Sequence, residues 1–578
     1  MQQVDYTTLR AIVGELSKNW LPARIEQVYQ RDRYTISLAL RTLSQRGWLS
    51  ISWHPQGARV CISPPPPRTR DTFTFSDQLR HQLGSLALIS LQAIADWERV
   101  LDFQFAQRPD EPPIMHLYVE IMGKYSNVIL TDGDNQIITL AHQVTDTQSS
   151  IRPLLTGKLY ELPPALTNTS PTLEESFASW QKRVSLVPSS LTSQLKQSYR
   201  GLSPTLVSSI IEAANLDPTQ STATLSLSDW ERLFKYWQLW LEILANSRFQ
   251  PGFTSTGYTV LGWNITQPTA NVQCLIDSYY TDQLNQQTFT QLRHQLLQKL
   301  SSLLKKLRLK RDTFSDRLQQ SDNADIYRQQ ADLLMAYLYQ WQPGMKYISL
   351  NDFETGQPVK ISLNPEKNGV QNAQSLYKQH QKLKRARDAV TPLLQEVNSE
   401  IQYLEQVEAS INQLDLYLSG EDLNTLLEIR SELIKEQYFT DKQYRSDNNT
   451  SDSQPLRYLS PSGFELLIGR NNRQNDQLTF RTAGDYDLWF HTQEIPGSHV
   501  LLRLNPGSVP DTADLQFAAD LAGYYSRARE SDQVPVVYTQ PKFVYKPKGA
   551  KPGIAIYKHE RILWGSPQTA RSYLISNH

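Results

Sequence analysis

The sequence predicts an α+β protein built from several modules. Short, strand-like alternating segments fill residues 1–169 and recur after residue 456, whereas long apolar repeats typical of helices occupy the region between them. At ~100–200 residues per domain, the 578 residues correspond to about three to five domains. Because 39% of the residues are hydrophobic and 10% are aromatic, the chain can build real cores, which excludes a mainly disordered protein.

The first predicted module, residues 1–169, combines a helix with a sheet. Apolar side chains at the spacing of one helix face predict its first element: Leu9, Ile12, Val13 and Leu16. Asp5 precedes them at the position of an N-cap. At least eight short segments then predict a sheet, with a further helix near residues 77–84. The polar turn Thr131–Asp134 predicts a hairpin between the last two strands.

Positive charge is concentrated at the start of the chain. Residues 1–70 contain ten Lys or Arg and four Asp or Glu, although the whole chain balances 58 against 58 and carries no net charge. Overall neutrality excludes a uniformly basic coat protein, but a local excess of this size is typical of a surface that contacts phosphate. A solvated surface without a ligand explains the excess equally well.

Two further modules follow. Residues 170–281 have helical spacing, and Ser203 followed by Pro204 predicts a capped helix over residues 206–214. Residues 282–439 predict an antiparallel coiled-coil hairpin, because apolar residues recur at heptad-like steps on both of its helices. The repeats are Leu296, Leu300, Leu303 and Leu307 on the outgoing helix and Val390, Val397, Leu404, Ile411 and Leu418 on the returning helix.

A small insert, residues 325–372, separates the two long helices and contains a predicted β-hairpin, residues 346–350 and 357–363. Basic residues cluster on both helices, and we expect the two clusters to lie side by side if the helices pair in the simplest register. The clusters are Lys299, Lys305, Lys306, Arg308, Lys310 and Arg311 on one helix and Lys378, Lys382, Lys384, Arg385 and Arg387 on the other. A solubilising coiled-coil surface is the alternative interpretation.

The last module begins after a polar segment. Residues 440–455 lack aliphatic side chains and predict a linker, and residues 456–578 predict a compact α+β module. Within this module, a loop punctuated by Gly and Pro carries Lys546, Lys548 and Lys551. Lysines can neutralise phosphates while neighbouring aromatic rings stack on bases, which is typical of RNA binding. A surface loop beside core aromatics is the alternative.

Several function classes are excluded by residues that the chain lacks. Cys61 and Cys274 are the two cysteines, which excludes a disulfide scaffold and a zinc site made of cysteine pairs. The N-terminus shows no signal peptide and no apolar run is long enough to cross a bilayer, so we expect a cytoplasmic protein without a membrane partner. Because His491 and His499 have no third ligand at metal spacing, and no nucleotide-binding or hydrolase motif is present, we expect no metal, no cofactor and no catalysis.

Four motifs show a resemblance to a known family. Leu117–Asn127 lies in the first module, and Gly469–Asn475, Asp487–Val500 and Gly549–Gly553 lie in the last. These segments, and the order of the modules, resemble the NFACT family and in particular its bacterial form, which is often labelled fibronectin-binding protein A-like. The resemblance implies an N-terminal module with a formamidopyrimidine-glycosylase-like fold and a helical module similar to helix-hairpin-helix domains.

The resemblance also implies a function and its partners. Such proteins bind a large ribosomal subunit that has separated with a stalled peptidyl-tRNA, contact its rRNA and recruit alanyl-tRNA. They thereby promote a C-terminal alanine tail that marks the nascent chain for degradation, while the ribosome itself makes the peptide bonds. A glycosylase activity is not expected, because Gln2 and Gln3 stand where that enzyme needs a proline amine and a glutamate.

Several site residues are implied by the same resemblance. Asp5 matches an acidic tRNA-contacting residue of the family, and Glu98-Arg99 falls on its Asp-Arg pair, with Glu in place of Asp. Further RNA contacts are implied by the motifs: Lys124, Tyr125, Asn127, His491, His499, Lys546, Lys548 and Lys551. Asp5 as a simple N-cap and Glu98-Arg99 as a weak surface ion pair are the alternatives.

Two other functions stay open from the sequence. One is a surface adhesin that binds fibronectin, as the family label suggests, although no signal peptide supports it. The other is a coiled-coil scaffold that binds no RNA. Salt-dependent tRNA binding distinguishes the scaffold from the ribosome factor, because counterion release weakens a phosphate contact as salt rises.

Overall fold

The computed structural model describes residues 1–67, 70–164, 167–321, 323–440 and 453–576. The described chain forms two compact units, the first ending at Asn285 and the second beginning at Gln286. Mixed helices and sheets in several modules confirm the α+β prediction in its coarse form. The module boundaries and the glycosylase-like and helix-hairpin-helix-like descriptions remain predictions.

The first unit contains a nine-stranded antiparallel sheet in the order β4-β3-β2-β1-β5-β6-β7-β8-β9, which confirms the expectation of at least eight strands. Its elements are α1 (Tyr6–Trp20), β1 (Ala23–Asp32), β2 (Thr35–Arg41), β3 (Arg46–Ser52), β4 (Arg59–Ser63), α2 (Thr74–Leu83), β5 (Ala87–Ala93), β6 (Val100–Ala106), β7 (Met115–Glu120), β8 (Asn127–Asp132) and β9 (Ile137–Leu140). The predicted apolar face of α1 is buried in the core with strand residues such as Leu38 and Phe103.

The helical part of the first unit packs around tryptophans. Trp180, Trp237 and Trp240 are fully buried there, and large rings of this kind dominate core energetics. Ser203 caps its helix as predicted, because its Oγ accepts a hydrogen bond from the Leu206 amide at 3.0 Å. The elements are α3 (Phe177–Val184), α4 (Leu191–Ser198), α5 (Pro204–Ala213), α6 (Leu227–Asn246), β10 (Gly252–Phe253), β11 (Tyr258–Thr259) and β12 (Gln267–Pro268).

Two long helices are present, with an inserted β-hairpin between them and bounds that differ from the predicted ones, while the description of this module as a coiled-coil hairpin remains a prediction. The elements are α7 (Val272–Ser321), α8 (Ala324–Ala336), β13 (Tyr347–Asn351), β14 (Pro358–Ser362), α9 (Gly369–Gln413) and α10 (Gly420–Lys435). The outgoing helix begins at Val272, ten residues before the predicted start. Leu418 was predicted in the seam, which is wrong: it is 73% exposed and lies beyond the end of α9. The heptad count had continued into the connection to α10, a separate helix with its own Ser419 cap.

The two basic clusters of the coiled coil do not lie side by side, so that expectation is wrong. Arg308 pairs with Glu405 at 2.6 Å, whereas Arg387 reaches Asp325 at 3.9 Å. The returning cluster therefore faces α8 rather than the outgoing cluster. Residues 387 and 405 are 18 positions apart, and at ~1.5 Å per helical residue this offset is roughly 27 Å.

The last module has a six-stranded antiparallel sheet in the order β15-β16-β18-β17-β19-β22. Helix α12 packs on the sheet through Phe517 and Leu521. The elements are β15 (Leu456–Leu459), β16 (Glu465–Ile468), α11 (Asn472–Gln477), β17 (Leu488–Thr492), β18 (Val500–Leu502), α12 (Thr512–Tyr524), β19 (Val534–Thr539), β20 (Val544–Tyr545), β21 (Ile556–Tyr557), β22 (Arg561–Gly565) and α13 (Pro567–Ser576).

The predicted linker lies mostly outside the described residues, which omit 441–452. Its described end is packed rather than free: Ser453 is 3% exposed, and its Oγ donates to Glu428 at 2.8 Å. In the part of the chain that the structure describes, no helix is both long and apolar enough to cross a membrane. The same residues include no group of three or more metal-ligating side chains.

Candidate nucleic-acid interface

Asp5 lies at the N-terminal end of α1 and is almost fully buried. Its Oδ1 accepts hydrogen bonds from the amide and the hydroxyl of Thr8, both at 2.8 Å, and its Oδ2 accepts one from the Ser203 hydroxyl at 2.7 Å. The N-cap interpretation is therefore confirmed, and the same carboxylate ties α1 to α5. Direct contact between Asp5 and tRNA remains a prediction.

The loop between β5 and β6 is held beside Asp5 by an aromatic anchor. Trp97 has a φ of 68°, in the left-handed region, and its ring lies 4.8 Å from Tyr6 and 5.6 Å from Trp240. The Tyr6 hydroxyl also donates to Asp96 at 3.4 Å. A bulky residue with a positive φ is rare and costs free energy, so these contacts fix the loop in one conformation.

Glu98 and Arg99 follow this anchor and are half-buried. Among the described residues neither side chain forms an ion pair, so the surface ion pair considered from the sequence is not formed. The backbone is engaged at both residues: the Arg99 carbonyl accepts from the Ile121 amide at 2.9 Å, and the Glu98 amide donates to the Ala95 carbonyl at 3.3 Å. Glu98 Oε1 is buried without a hydrogen-bond partner in that same part of the chain. The Arg99 guanidinium thus has no ion-pair partner in that part of the chain, and its contact with a phosphate or a guanine edge remains a prediction.

A polar cleft of about 610 Å³ opens next to Asp5. Its lining brings Asp5 and Glu212 together with many hydroxyl groups, and includes Thr7, Thr205, Ser208, Ser209, Thr254 and Ser255. Met1 also lines it, and no lysine or arginine does so among the residues that the structure describes. Two carboxylates and several hydroxyl groups together suit a polar ligand that carries hydrogen-bond donors. The sequence shows no signal for this cleft beyond the Thr254-Ser255-Thr256 run, because tertiary packing assembles it.

The motif after β7 divides into exposed and buried residues. Tyr125 is 71% exposed, and Lys124 lies 4.9 Å from the centre of its ring in a short 3₁₀ turn, so both are accessible to a nucleic acid. Asn127 is 2% exposed, and its amide bonds the backbone of His142 as donor and acceptor. Asn127 thus holds the strand ends together, and its predicted RNA contact remains untested.

His491 and His499 lie in an aromatic cluster of the last module. The ring of Trp489 stacks on His491 at 5.7 Å and meets the ring of His499 at 5.1 Å. His499 Nδ1 and the Thr479 hydroxyl share a hydrogen bond of 2.6 Å. Burial lowers the pKa of His491 to about 4 and lowers the pKa of His499 well below its usual value, so both rings are neutral at pH 7.

The basic loop of the last module is largely engaged by its own chain. Lys546 pairs with Asp476, and the amide of Gly553 donates to the same carboxylate at 3.0 Å. Lys551 lies over the rings of Tyr438 at 4.1 Å and Tyr403 at 4.8 Å. Of the three predicted lysines, Lys548 alone is exposed and without an ion pair among the described residues.

The Gly469–Asn475 motif forms a junction with the base of the coiled coil. Arg470 pairs with Asp422, and both side chains are about nine-tenths buried. Asn472 Nδ2 and the Tyr403 hydroxyl donate to Glu432 Oε1 at 3.2 Å and 2.7 Å, and burial raises the pKa of Glu432. Sequence reasoning missed this role, because the partners are 40 to 50 residues away along the chain.

Exposed cations with aromatic rings lie elsewhere on the last module. Lys542 lies 5.1 Å from the ring of Phe543, and Lys558 lies 5.5 Å from the ring of Tyr545, which is 39% exposed. Such pairs can contact phosphates and stack on bases at one place. This surface was seen in the sequence only as aromatics interleaved with lysines.

Comparisons with known proteins cover nearly the whole chain. The NFACT N-terminal and middle domains match residues 5–452, and the NFACT protein RNA binding domain matches residues 455–556. The Rqc2 homolog RqcH of Streptococcus suis is 30% identical over 574 residues, which are 97% of this chain and 97% of that protein. The ribosome quality control complex subunit NEMF of Homo sapiens is 26% identical over 145 residues, 25% of this chain and 13% of NEMF.

A solved structure is also similar in part. The C-terminal part of the fibronectin/fibrinogen-binding protein from Streptococcus suis is 32% identical, covers 49% of this chain and 98% of its own, and has a TM-score of 0.38. The two domain matches together span both units of the described chain. With these matches and the full-length similarity to RqcH, the chain belongs to the NFACT family.

Proposed function

We propose that this chain acts in ribosome-associated quality control. It binds large ribosomal subunits that carry a stalled peptidyl-tRNA and recruits tRNA, specifically alanyl-tRNA, so that the nascent chain receives an alanine tail and is degraded. The observation that supports this most strongly is the similarity to RqcH along 97% of both chains, together with the match to an RNA binding domain.

The first unit supports a tRNA contact near Asp5. Trp97 fixes its loop on the helical core, and Arg99 follows it with no carboxylate partner among the described residues. An arginine whose own chain does not neutralise it, on a loop held in one conformation, is preorganised to bind a phosphate or a base edge. The tRNA therefore makes its contact where α1 begins.

The second unit supports an rRNA contact on the last module. Lys548, the Lys542–Phe543 pair and the Lys558–Tyr545 pair are its accessible basic and aromatic groups. Their positive charges neutralise phosphates, and the rings stack on unpaired bases. The engaged lysines, Lys546 and Lys551, instead maintain the loop that presents these groups.

The protein acts by binding and positioning rather than by chemistry of its own. Gln2, at the place of a glycosylase nucleophile, uses its side chain to bond the backbone of Tyr258 as donor and acceptor, both at 3.1 Å. An amide in that position cannot form an imine, so no base excision is expected. The ribosome forms the peptide bonds of the tail.

The test is to recover the protein from cell lysate by a C-terminal tag and to sequence the RNA that accompanies it. We expect large-subunit rRNA and one enriched tRNA species, with small-subunit rRNA at the level of an untagged control. RNA no richer than that control would contradict the proposal and would favour the scaffold or the adhesin. Equal recovery of both subunits would contradict the selectivity for separated large subunits.

A further inference from the structure

Three arginines form a row across adjacent strands of the first unit. In the register of the sheet, Arg24 of β1 lies opposite Arg41 of β2, and Arg41 lies opposite Arg46 of β3. Directly opposed residues point to the same face of a sheet. At ~4.8 Å between neighbouring strands, the row is roughly 10 Å long.

The arginine row is accessible and only partly neutralised. The side chains of Arg41 and Arg46 are 55% and 64% exposed, and Arg24 is also exposed. One carboxylate, Glu26, serves two of them: its Oε1 lies 3.3 Å from Arg41 and 3.4 Å from Arg46. Arg24 makes no ion pair in the described part of the chain. The row therefore has a surplus of two positive charges.

This arrangement works against the stability of the sheet. Like charges directly opposite one another on neighbouring strands are destabilising, and the exposed pairs with Glu26 contribute little in return. Three arginines in register are thus not explained by folding alone. An external polyanion would relieve the repulsion, and the planar guanidinium fork fits phosphate oxygens.

The arginine row lies at the opposite end of α1 from Asp5. Gln45, in the turn between β2 and β3, donates to the carbonyl of Asn19 at 2.7 Å, and the ring of Trp20 covers Gly47. Both contacts join the row to the last residues of α1. Since α1 has 15 residues, its two ends are roughly 22 Å apart at ~1.5 Å per residue.

We propose that the arginine row binds the phosphate backbone of RNA, at a site separate from the Asp5–Arg99 region. A strand in a duplex carries one phosphate per ~3.4 Å of axis, so about three phosphates match the length of the row. The inference rests on the proposed function, because it takes RNA as the polyanion. It adds a second contact that holds the nucleic acid without reading its bases.

The test measures binding of bulk tRNA to the full chain between about 50 and 200 mM salt. The variant Arg24→Gln/Arg41→Gln/Arg46→Gln should lower affinity at least tenfold and reduce the slope of log K against log salt by about two to three. The matched control is Lys182→Gln/Lys196→Gln/Arg232→Gln. It removes three positive charges from exposed positions on helices of the same unit, away from the strands that carry the row. We expect its slope to change by less than about one.

Folding does not confound the result, because a second variant acts in the opposite direction. Glu26→Gln frees Arg41 and Arg46, and we expect it to raise tRNA affinity and steepen the salt dependence. Two outcomes would overturn the inference and leave the proposed function intact. In one, the row variant and the control variant change tRNA affinity and salt slope equally; in the other, neither the row variant nor Glu26→Gln changes them. Wild-type protein that does not bind tRNA would overturn both the inference and the proposed function. Arginine-dependent binding of anionic lipid vesicles, with tRNA binding unchanged by the row variant, would overturn the inference alone.

Discussion

The loop that carries Arg99 and the loop that carries Lys546, Lys548 and Lys551 were both predicted to contact RNA, but they differ in their internal partners. Arg99 has no ion pair among the described residues, while Lys546 pairs with Asp476 and Lys551 lies close to the rings of two tyrosines. Trp97 fixes the first loop from within, and the lysines themselves fix the second. A family motif can therefore contain side chains that are free to contact a ligand as well as side chains that stabilise their own module.

The same contrast separates the buried ion pairs from the exposed basic groups. Arg470 and Asp422 are nearly excluded from water, so their charges depend on one another. The arginine row is solvated and has surplus charge. This surplus charge is the observation on which the proposed polyanion contact rests.

The largest expected effect concerns the junction in the second unit. We expect Arg470→Met to lower the free energy of unfolding by about 3–5 kcal/mol, because it leaves the buried Asp422 carboxylate without its partner. Urea unfolding of the full chain measures the change. The control is Arg457→Met, whose pair with Glu465 is exposed, and which should cost about 0–1 kcal/mol. Equal costs would show that the motif does not stabilise the junction.

The next effect concerns Arg99. We expect Arg99→Ala to lower tRNA affinity by about 1–3 kcal/mol, or roughly 5- to 150-fold, because one fork of donors is lost. Binding of the large subunit and the free energy of unfolding should be retained, as both should be in the control Arg108→Ala on an exposed loop. If folded Arg99→Ala protein lost both tRNA binding and subunit binding, the two activities could not be assigned to separate loops.

A fall in pH should lower the free energy of unfolding of the last module, because this module buries His491. Burial lowers the pKa of His491 from 6.5 to about 4, so the unfolded state takes up its proton first as pH falls. The stability contribution is therefore complete above about pH 6.5 and declines towards pH 4, by on the order of 3 kcal/mol. His491→Gln should flatten this decline relative to wild type, and exposed His81→Gln should not. Parallel pH profiles for all three proteins would refute the assignment.

The smallest effects divide the lysines of the basic loop. Lys551→Met should lower the free energy of unfolding by about 0.5–2 kcal/mol through its lost contacts with Tyr403 and Tyr438. Lys548→Met should leave stability unchanged and reduce the salt slope of RNA binding by about one. Thermal unfolding and RNA titration of both variants are the measurements. If Lys548→Met lowered the stability and Lys551→Met lowered only the salt slope, the contacts of these lysines in the structure would not explain their roles.

Local features of the fold were predictable from the sequence. The apolar spacing of α1, the Ser203 cap and the two-stranded insert depend on residues close together in the chain, and all are confirmed. The offset of the basic clusters and the helix after Leu418 were not predictable, because helix register and breaks are decided by packing between distant residues. The same reason hid the cleft beside Asp5 and the partners of Lys551.

The most direct test uses purified large subunits with peptidyl-tRNA, alanyl-tRNA and the full chain, followed by mass spectrometry of the nascent peptide. We predict that its C-terminus gains alanine residues only when the protein is present, and that Arg99→Ala strongly reduces the gain at limiting alanyl-tRNA while the protein still sediments with the subunit. A nascent peptide that stays unextended, although protein and subunit are bound, would contradict the account.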